Sequence, residues 1–187
     1  MLARIRQMAN LTIASLAVSA GTVAALADML CLTVAGGGSV SFLHPLSHQN
    51  AAGFWENALA AASRGERIVL GAWHGDVLAG TVTLLLDMPP NQPHRAEIAK
   101  TMVHPAYRGQ GIASALMGEA EALAIRHGRT LLVLDTAADG GARGLYERLG
   151  FALAGEIPDY ALKPHGGLTG TLIYWKRIGA AADNVRG

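Results

Sequence analysis

Hydrophobic positions recur along the chain at two spacings, and the elements they predict fall into two halves. LTIASLAV (11–18) reads as a strand and TVAALADMLCLTV (22–34) as a helix, with Val23, Leu26, Leu30 and Val34 at helical spacing. AGGGSVSFLHPLS (35–47) has three consecutive glycines and then Pro45, and reads as a flexible loop. Residues 48–63 predict a second helix with Phe54, Trp55 and Leu59 turned inward. ERIVLGAW (66–73) and DVLAGTVTLLL (76–86) predict a hairpin around His74-Gly75-Asp76. The prolines of MPPNQP (88–93) supply no amide donor, so that stretch is a surface turn leading into the strand AEIAKTMV (96–103).

Strand and helix alternate in the second half. Ile112, Leu116 and Leu123 place a helix over 111–127, ending near Gly128 as a C-terminal cap. LLVLD (131–135) reads as a buried strand closed by an acid, and GARGLYERL (141–149) as a short helix stopped by Gly150. FALAGEI (151–157) is a further strand, TLIYWKRI (171–178) alternates as a last one, and the chain reads as a frayed tail from about residue 180. No internal repeat breaks the pattern. The sum is a single α/β domain over 1–187, antiparallel strands first and a crossover unit after.

Composition narrows what such a domain does. The 187 residues are 51% apolar, ample for one core. Net charge is +1 and no run of Lys or Arg exceeds two, so the basic stripe of a nucleic-acid binder is missing. A lone cysteine, Cys31, cannot form an intramolecular disulfide and fits a reducing cytosol. His44 and His48 have the spacing of helical metal ligands, but Pro45 disfavours a continuous helix through both, and no metal is expected. Between Arg6 and Asp28 lie 21 uncharged residues, and Val18-Ser19-Ala20 mimics a signal cleavage site. Polar residues such as Asn10, Thr12, Ser15 and Ser19 interrupt that stretch, so the expectation is a soluble cytoplasmic protein without a membrane partner.

The chemistry concentrates in VHPAYRGQGIASALM (103–117). A nucleoside-triphosphate loop needs a lysine after its last glycine, and Ile112 and Ala113 stand there instead. A dinucleotide fold gains from Asp135, 24 residues past Gly111. It loses on Ser114 where Gly or Ala should allow close helix–strand packing, and on His104 to Arg108 separating strand from glycine. The remaining reading is a pyrophosphate cradle. In it Arg108 opens the loop, backbone amides converge, and the following helix aims its positive end at the phosphates.

Arg108-Gly109-Gln110-Gly111-Ile112-Ala113 is the Q/R-x-x-G-x-G/A signature of the GNAT superfamily of N-acetyltransferases, and the chain resembles that family over residues 67–155. GLYERLGF (144–151) looks like its second conserved segment. GGGSVSFL (36–43), AEIAKTMV, LLVLDT and GEIPDY are similar to the tabtoxin-resistance branch of the superfamily. The resemblance implies a mixed, mostly antiparallel sheet with two splayed central parallel strands, 96–103 and 131–135, and flanking helices. It implies acetyl-CoA as co-substrate in the gap between them. Met102 and Val103 would then pair by backbone with the pantetheine arm, while Arg108, Gly109, Gln110, Gly111, Ile112 and Ala113 surround the pyrophosphate. An amide near Met102 is the candidate donor to the thioester carbonyl.

Acetyl transfer to an amine makes two demands: the amine must lose a proton, and the departing thiolate must gain one. Tyr146 occupies the family's general-acid position. Glu97 and Asp135 are the candidates for the base. Alternation puts Glu97 on one face with Ala99, Thr101 and Val103, and Asp135 closes its strand at the C-terminal end, where α/β sheets present functional groups. A water relay without a dedicated base fits equally. Where many members carry Asn seven residues before the tyrosine, this chain has Asp139, which is expected to turn away from the cofactor's phosphates. The acceptor pocket is expected from loops 36–47, 88–95 and 158–170, with Phe42, Trp73 and Tyr160 as candidate lining. The leading function is acetylation of a small-molecule primary amine, such as a toxin or antibiotic. Acetylation of protein N-termini and non-catalytic acyl-CoA sensing stand as alternatives. Edge strands are available to form a homodimer.

Overall fold

The computed structural model describes residues 11–179; the tail expected to fray from about residue 180 lies outside them. Strand β1 (Leu11–Ser15) is followed by helix α1 (Ala20–Ala35). Ser19 caps that helix, its hydroxyl accepting the Thr22 amide at 3.0 Å. The apparent cleavage site is therefore a capped strand-to-helix junction. Among the described residues no helix is long and apolar enough to cross a membrane. All four apolar positions expected to face inward from α1 are buried. Helix α2 (His48–Ser63) starts at Ser47, which accepts the Asn50 amide, and buries Trp55 and Leu59, with Phe54 half-buried.

Strands β2 (Arg67–His74) and β3 (Val77–Leu85) form the expected hairpin, its turn made by Gly75 at φ +59°. Next come β4 (Arg95–Val103), a single 3-10 turn (Pro105–Tyr107), α3 (Ile112–Arg126), β5 (Leu131–Ala137), α4 (Arg143–Arg148), β6 (Ala152–Leu162) and β7 (Leu168–Arg177). Together the strands make one seven-stranded sheet in the order β1-β2-β3-β4-β5-β7-β6, antiparallel throughout except between β4 and β5.

Each face carries its own core. On one, Leu26, Leu30, Trp55 and Leu59 of α1 and α2 pack on Val69, Leu78 and Met102. On the other, Ile112, Leu116 and Ala120 of α3 pack on Leu70, Val82, Ile98 and Leu132. Gly80 lets α3 approach. A Cβ there would lie 2.9 Å from Ile112 Cγ2 and 3.1 Å from the Met102 carbonyl oxygen.

The expected loop at 158–170 needs correction. Strand β6 runs on through Pro158 to Leu162, and β7 already begins at Leu168. Proline is tolerated because β6 is the sheet edge, where no second neighbour needs its amide. A bulge between Ile157 and Ala161, with Asp159 at φ +52°, absorbs the extra residues.

Candidate active site

Strands β4 and β5 pair only from Arg95↔Leu131 to Ile98↔Leu134 and then part. The cause lies on the other edge of β4. Thr81 pairs with Met102 but Thr83 with Ala99, so Lys100 and Thr101 together oppose Val82. This bulge, with Lys100 at φ +53°, bends β4 away, while β5 stays paired with β7 along its whole length. Beyond Ile98 the β5-facing edge of β4 has no strand partner. Its main-chain groups are left to an extended ligand.

A cleft of about 710 Å³ occupies the gap. Its floor is β4 from Ile98 to Val103 and β5 from Asp135 to Ala137, with Gly140–Ala142 and Tyr146 on one side. Its far end is lined by Gly38–Ser41, Tyr160–Leu162 and Thr169–Thr171. That end has a roof tied across the chain. The His44 amide donates to the Pro164 carbonyl at 2.9 Å, and His165 Nε2 donates to the Ala35 carbonyl at 3.0 Å. The two imidazoles lie against each other, tilted by 41°, with centroids 4.6 Å apart.

At the near end Arg108 lines the cleft and donates from Nε to the Val103 carbonyl at 3.4 Å. Gly109 and Gly111 follow at φ +73° and +83°, with open space where a Cβ would sit, so glycine is required for backbone conformation and not for room. Gln110 donates to the Ala106 carbonyl at 3.4 Å and pins the turn. No side chain caps α3, so its first amides face the loop. Ile112 is buried in the core, which leaves its main chain to contact a ligand. Met102 and Val103 line the cleft; Gly109 to Ala113 form the turn and helix start beside it.

Tyr146 reaches the cleft from α4 and is 6% exposed, its ring against Phe151 and Tyr174. Burial pushes its phenol pKa up; the Thr101 hydroxyl opposes this and the Asp135 charge adds to it. The phenol therefore stays protonated at neutral pH. Asp135 lines the cleft and accepts the Thr171 hydroxyl at 3.3 Å. Glu97 does not reach the cleft lining; Arg95 Nη1 holds its carboxylate at 3.0 Å. The strict alternation that would have turned it there is broken by the bulge three residues on.

Asp139 also stays out of the lining. Its carboxylate accepts the Thr169 hydroxyl at 2.9 Å and Lys163 Nζ at 3.3 Å, which hold its pKa below the ordinary value. Of the candidate pocket residues, Tyr160 lines the cleft, while Phe42 packs edge-on against Phe54 and Trp73 packs under α1 and α2. Loop 88–95 lies outside it. Lys100, missed in the sequence, lines the cleft and donates to the Ser41 hydroxyl at 3.0 Å. Its only sequence signal is a cation within an apolar strand. Among the described residues no cluster of His, Cys, Asp or Glu gathers to hold a metal ion.

A parallel pair forced open beside an uncapped helix and a glycine turn is the architecture of an acyl-CoA-dependent transferase. The model of the acetyltransferase (GNAT) family matches residues 39–151, more than half of the chain, and the chain belongs to that family. It is an acetyl-CoA-dependent acetyltransferase. Solved structures share the fold. The N-acetyltransferase from Staphylococcus aureus Mu50 superposes with a TM-score of 0.77 at 19% identity, covering 91% of this chain and 99% of that one. The yncA structure from Salmonella typhimurium, determined with its cofactor acetyl-CoA, gives 0.72 at 19% identity over 91% and 95%. The ribosomal-protein-alanine N-acetyltransferase from Brucella melitensis gives 0.74 at 20% identity over 89% and 99%. The residues of this cleft fit acetyl-CoA: an unpaired strand edge for the pantetheine amides, a glycine turn and an uncapped helix start for the pyrophosphate.

Proposed function

We propose that the protein acetylates a primary amine of a small molecule held at the far end of the cleft, in a ternary complex with acetyl-CoA. The roof joining loop 36–47 to the β6–β7 tip carries this reading. A protein N-terminus needs a groove open along its length, and hydrogen bonds that tie together the two segments supplying this end of the cleft favour an acceptor of limited size. Detoxification of a toxin or antibiotic, in the manner of the tabtoxin-resistance acetyltransferase, is compatible with a pocket of this size. A cytoplasmic location accords with the lone thiol, and the exposed edge strand β6 is suited to pairing with a second copy.

Acetyl-CoA supplies an activated thioester. Arg108 and the main chain of 109–113 hold its pyrophosphate, and Met102 and Val103 bind the pantetheine arm through their backbone. An amide near Met102 faces the thioester carbonyl oxygen, where negative charge develops. Asp135 takes the proton of the amine, directly or through water, since an alkyl ammonium near pKa 10 does not attack. Tyr146, kept protonated by its burial, donates to the leaving sulfur.

Thermal shift with acetyl-CoA, CoA and NADH side by side, followed by an amine screen with free-thiol detection, tests this. A coenzyme at a hundredfold excess over its Kd should stabilise the fold by about 2.7 kcal/mol. Stabilisation by both CoA species but not NADH, with thiol release on small amines, is the expected result. Turnover of peptide N-termini alone would overturn the small-amine reading.

A further inference from the structure

Five titratable side chains line the cleft: Lys100, Arg108, Asp135, Tyr146 and Tyr160. Arg108 lies at the pyrophosphate end, Tyr146 and Asp135 are assigned to proton transfer, and Tyr160 is a phenol at the rim contributed by β6. Lys100 is a cation without an assignment. It stands on the β4 bulge at the acceptor side, and its Nζ donates to Ser41 Oγ of loop 36–47 at 3.0 Å. Its ammonium lies 5.7 Å above the Phe54 ring. Among the described residues it forms no ion pair.

An ammonium has three donors, and one neutral hydroxyl uses only one of them. With the Phe54 ring as its other neighbour, the partly buried ammonium keeps donors free for an anion entering the cleft. Burial lowers the Lys100 pKa, and the nearby Asp135 charge partly offsets this without coming into contact. The backbone is held to the same end. Ser41 and Lys100, the two partners of this hydrogen bond, both take left-handed φ, +71° and +53°. Non-glycine strain on both sides of one contact points to a geometry maintained for function.

We propose that the acceptor is an amine carrying its own carboxylate, an amino-acid-like zwitterion, whose carboxylate pairs with Lys100 while its amine faces Asp135. The inference rests on the small-amine reading above and narrows it. The cleft then has two poles. Asp135 on β5 draws the ammonium and removes its proton; Lys100 on the β4 bulge fixes the other end. An amine without an anion would leave Lys100 unpaired.

The test uses the purified full-length protein and free amino acids, each matched with its own carboxamide and its decarboxylated amine. Thiol release is followed for the wild type, Lys100→Met and Lys100→Arg. Wild type is expected to favour the acids by about tenfold or more in kcat/KM, the worth of one charge-assisted hydrogen bond. Lys100→Met should lose that preference while keeping its thermal shift with acetyl-CoA, and Lys100→Arg should keep much of it. Equal use of acids and carboxamides by the wild type overturns the inference while the small-amine reading survives, and this arm needs no variant to fold. A preference retained in Lys100→Met overturns it as well. Acetylation of peptide N-termini but of no small amine overturns both. Intact-mass measurement after incubation with acetyl-CoA should find Lys100 unmodified; its acetylation would mean that the side chain is an acceptor and not an anchor.

Discussion

Tyr146 brings a hydroxyl into a setting that keeps it protonated, and its neighbours define what its loss would do. Its ring packs on Phe151 and Tyr174, so Tyr146→Phe keeps the packing and removes only the proton donor. The expected outcome is a fall in kcat of about a hundredfold or more, with the acetyl-CoA thermal shift unchanged. The raised phenol pKa also has a sign for stability. A group whose folded pKa lies above its unfolded value, about 10, stabilises fully below that pH and ceases to as pH rises through the folded pKa. Denaturant titrations should therefore show wild-type stability falling above pH 10, and Tyr146→Phe should remove part of that fall. The two carboxylates separate in the same way. Asp135→Asn should reduce kcat sharply. Glu97→Gln should change kcat little and cost about 0–1 kcal/mol through its partly exposed ion pair with Arg95. The sequence pattern named Tyr146 and Asp135 as residues that meet in one cleft. It placed Glu97 there too, because alternation assumes an unbroken strand. It passed over Lys100 for the same reason: the bulge that aims it is a tertiary feature, set by how β4 registers against β3.

Elements were legible wherever one periodicity ran without interruption. Helices α1, α2 and α3 begin and end within two residues of their expected limits, because capping serines, glycines and apolar spacing all agree there. Strand β6 was expected over 151–157 and runs on through Pro158 to Leu162, which an edge strand allows. The parting of β4 and β5 followed from resemblance to a known family; hydropathy alone does not encode it. How tightly α3 lies on the sheet decides where the glycine turn ends up, and Gly80 sets that distance. Gly80→Ala would press a methyl group against Ile112 and Leu116, which can shift, and against the Met102 carbonyl, which cannot do so without moving β4. The expected cost is about 1–3 kcal/mol. Each kcal/mol lowers Tm by about 2–4 °C in a chain of this size. Calorimetry measures that loss, and a weaker thermal shift with acetyl-CoA would register the displaced turn. A variant as stable as the wild type would show that α3 has slack.

At the scale of the whole molecule, the acceptor end of the cleft is made by segments more than a hundred residues apart in sequence. The α1–α2 loop reaches the β6–β7 tip through His44, His165 and Pro164, none of which any local pattern marks as a partner of the others. That is why the glycine turn could be read from one contiguous motif and the acceptor end of the cleft could not. His165→Ala separates the two by experiment. It removes one hydrogen bond and one tilted ring contact at an exposed position, so the stability loss should be small, about 1 kcal/mol. The glycine turn proposed to hold the pyrophosphate is formed by other residues, so the thermal shift with acetyl-CoA should persist. The roof, by contrast, would be free to lift. KM for the small amine should rise several-fold with kcat less affected, since a loosened pocket gives up acceptor binding before it gives up the proton donor on α4. Short peptides, poor acceptors with the roof closed, should gain relative to small amines. If KM for the amine stays at its wild-type value, the roof does not shape the acceptor pocket, and the case for a small acceptor must then rest on the cleft floor alone.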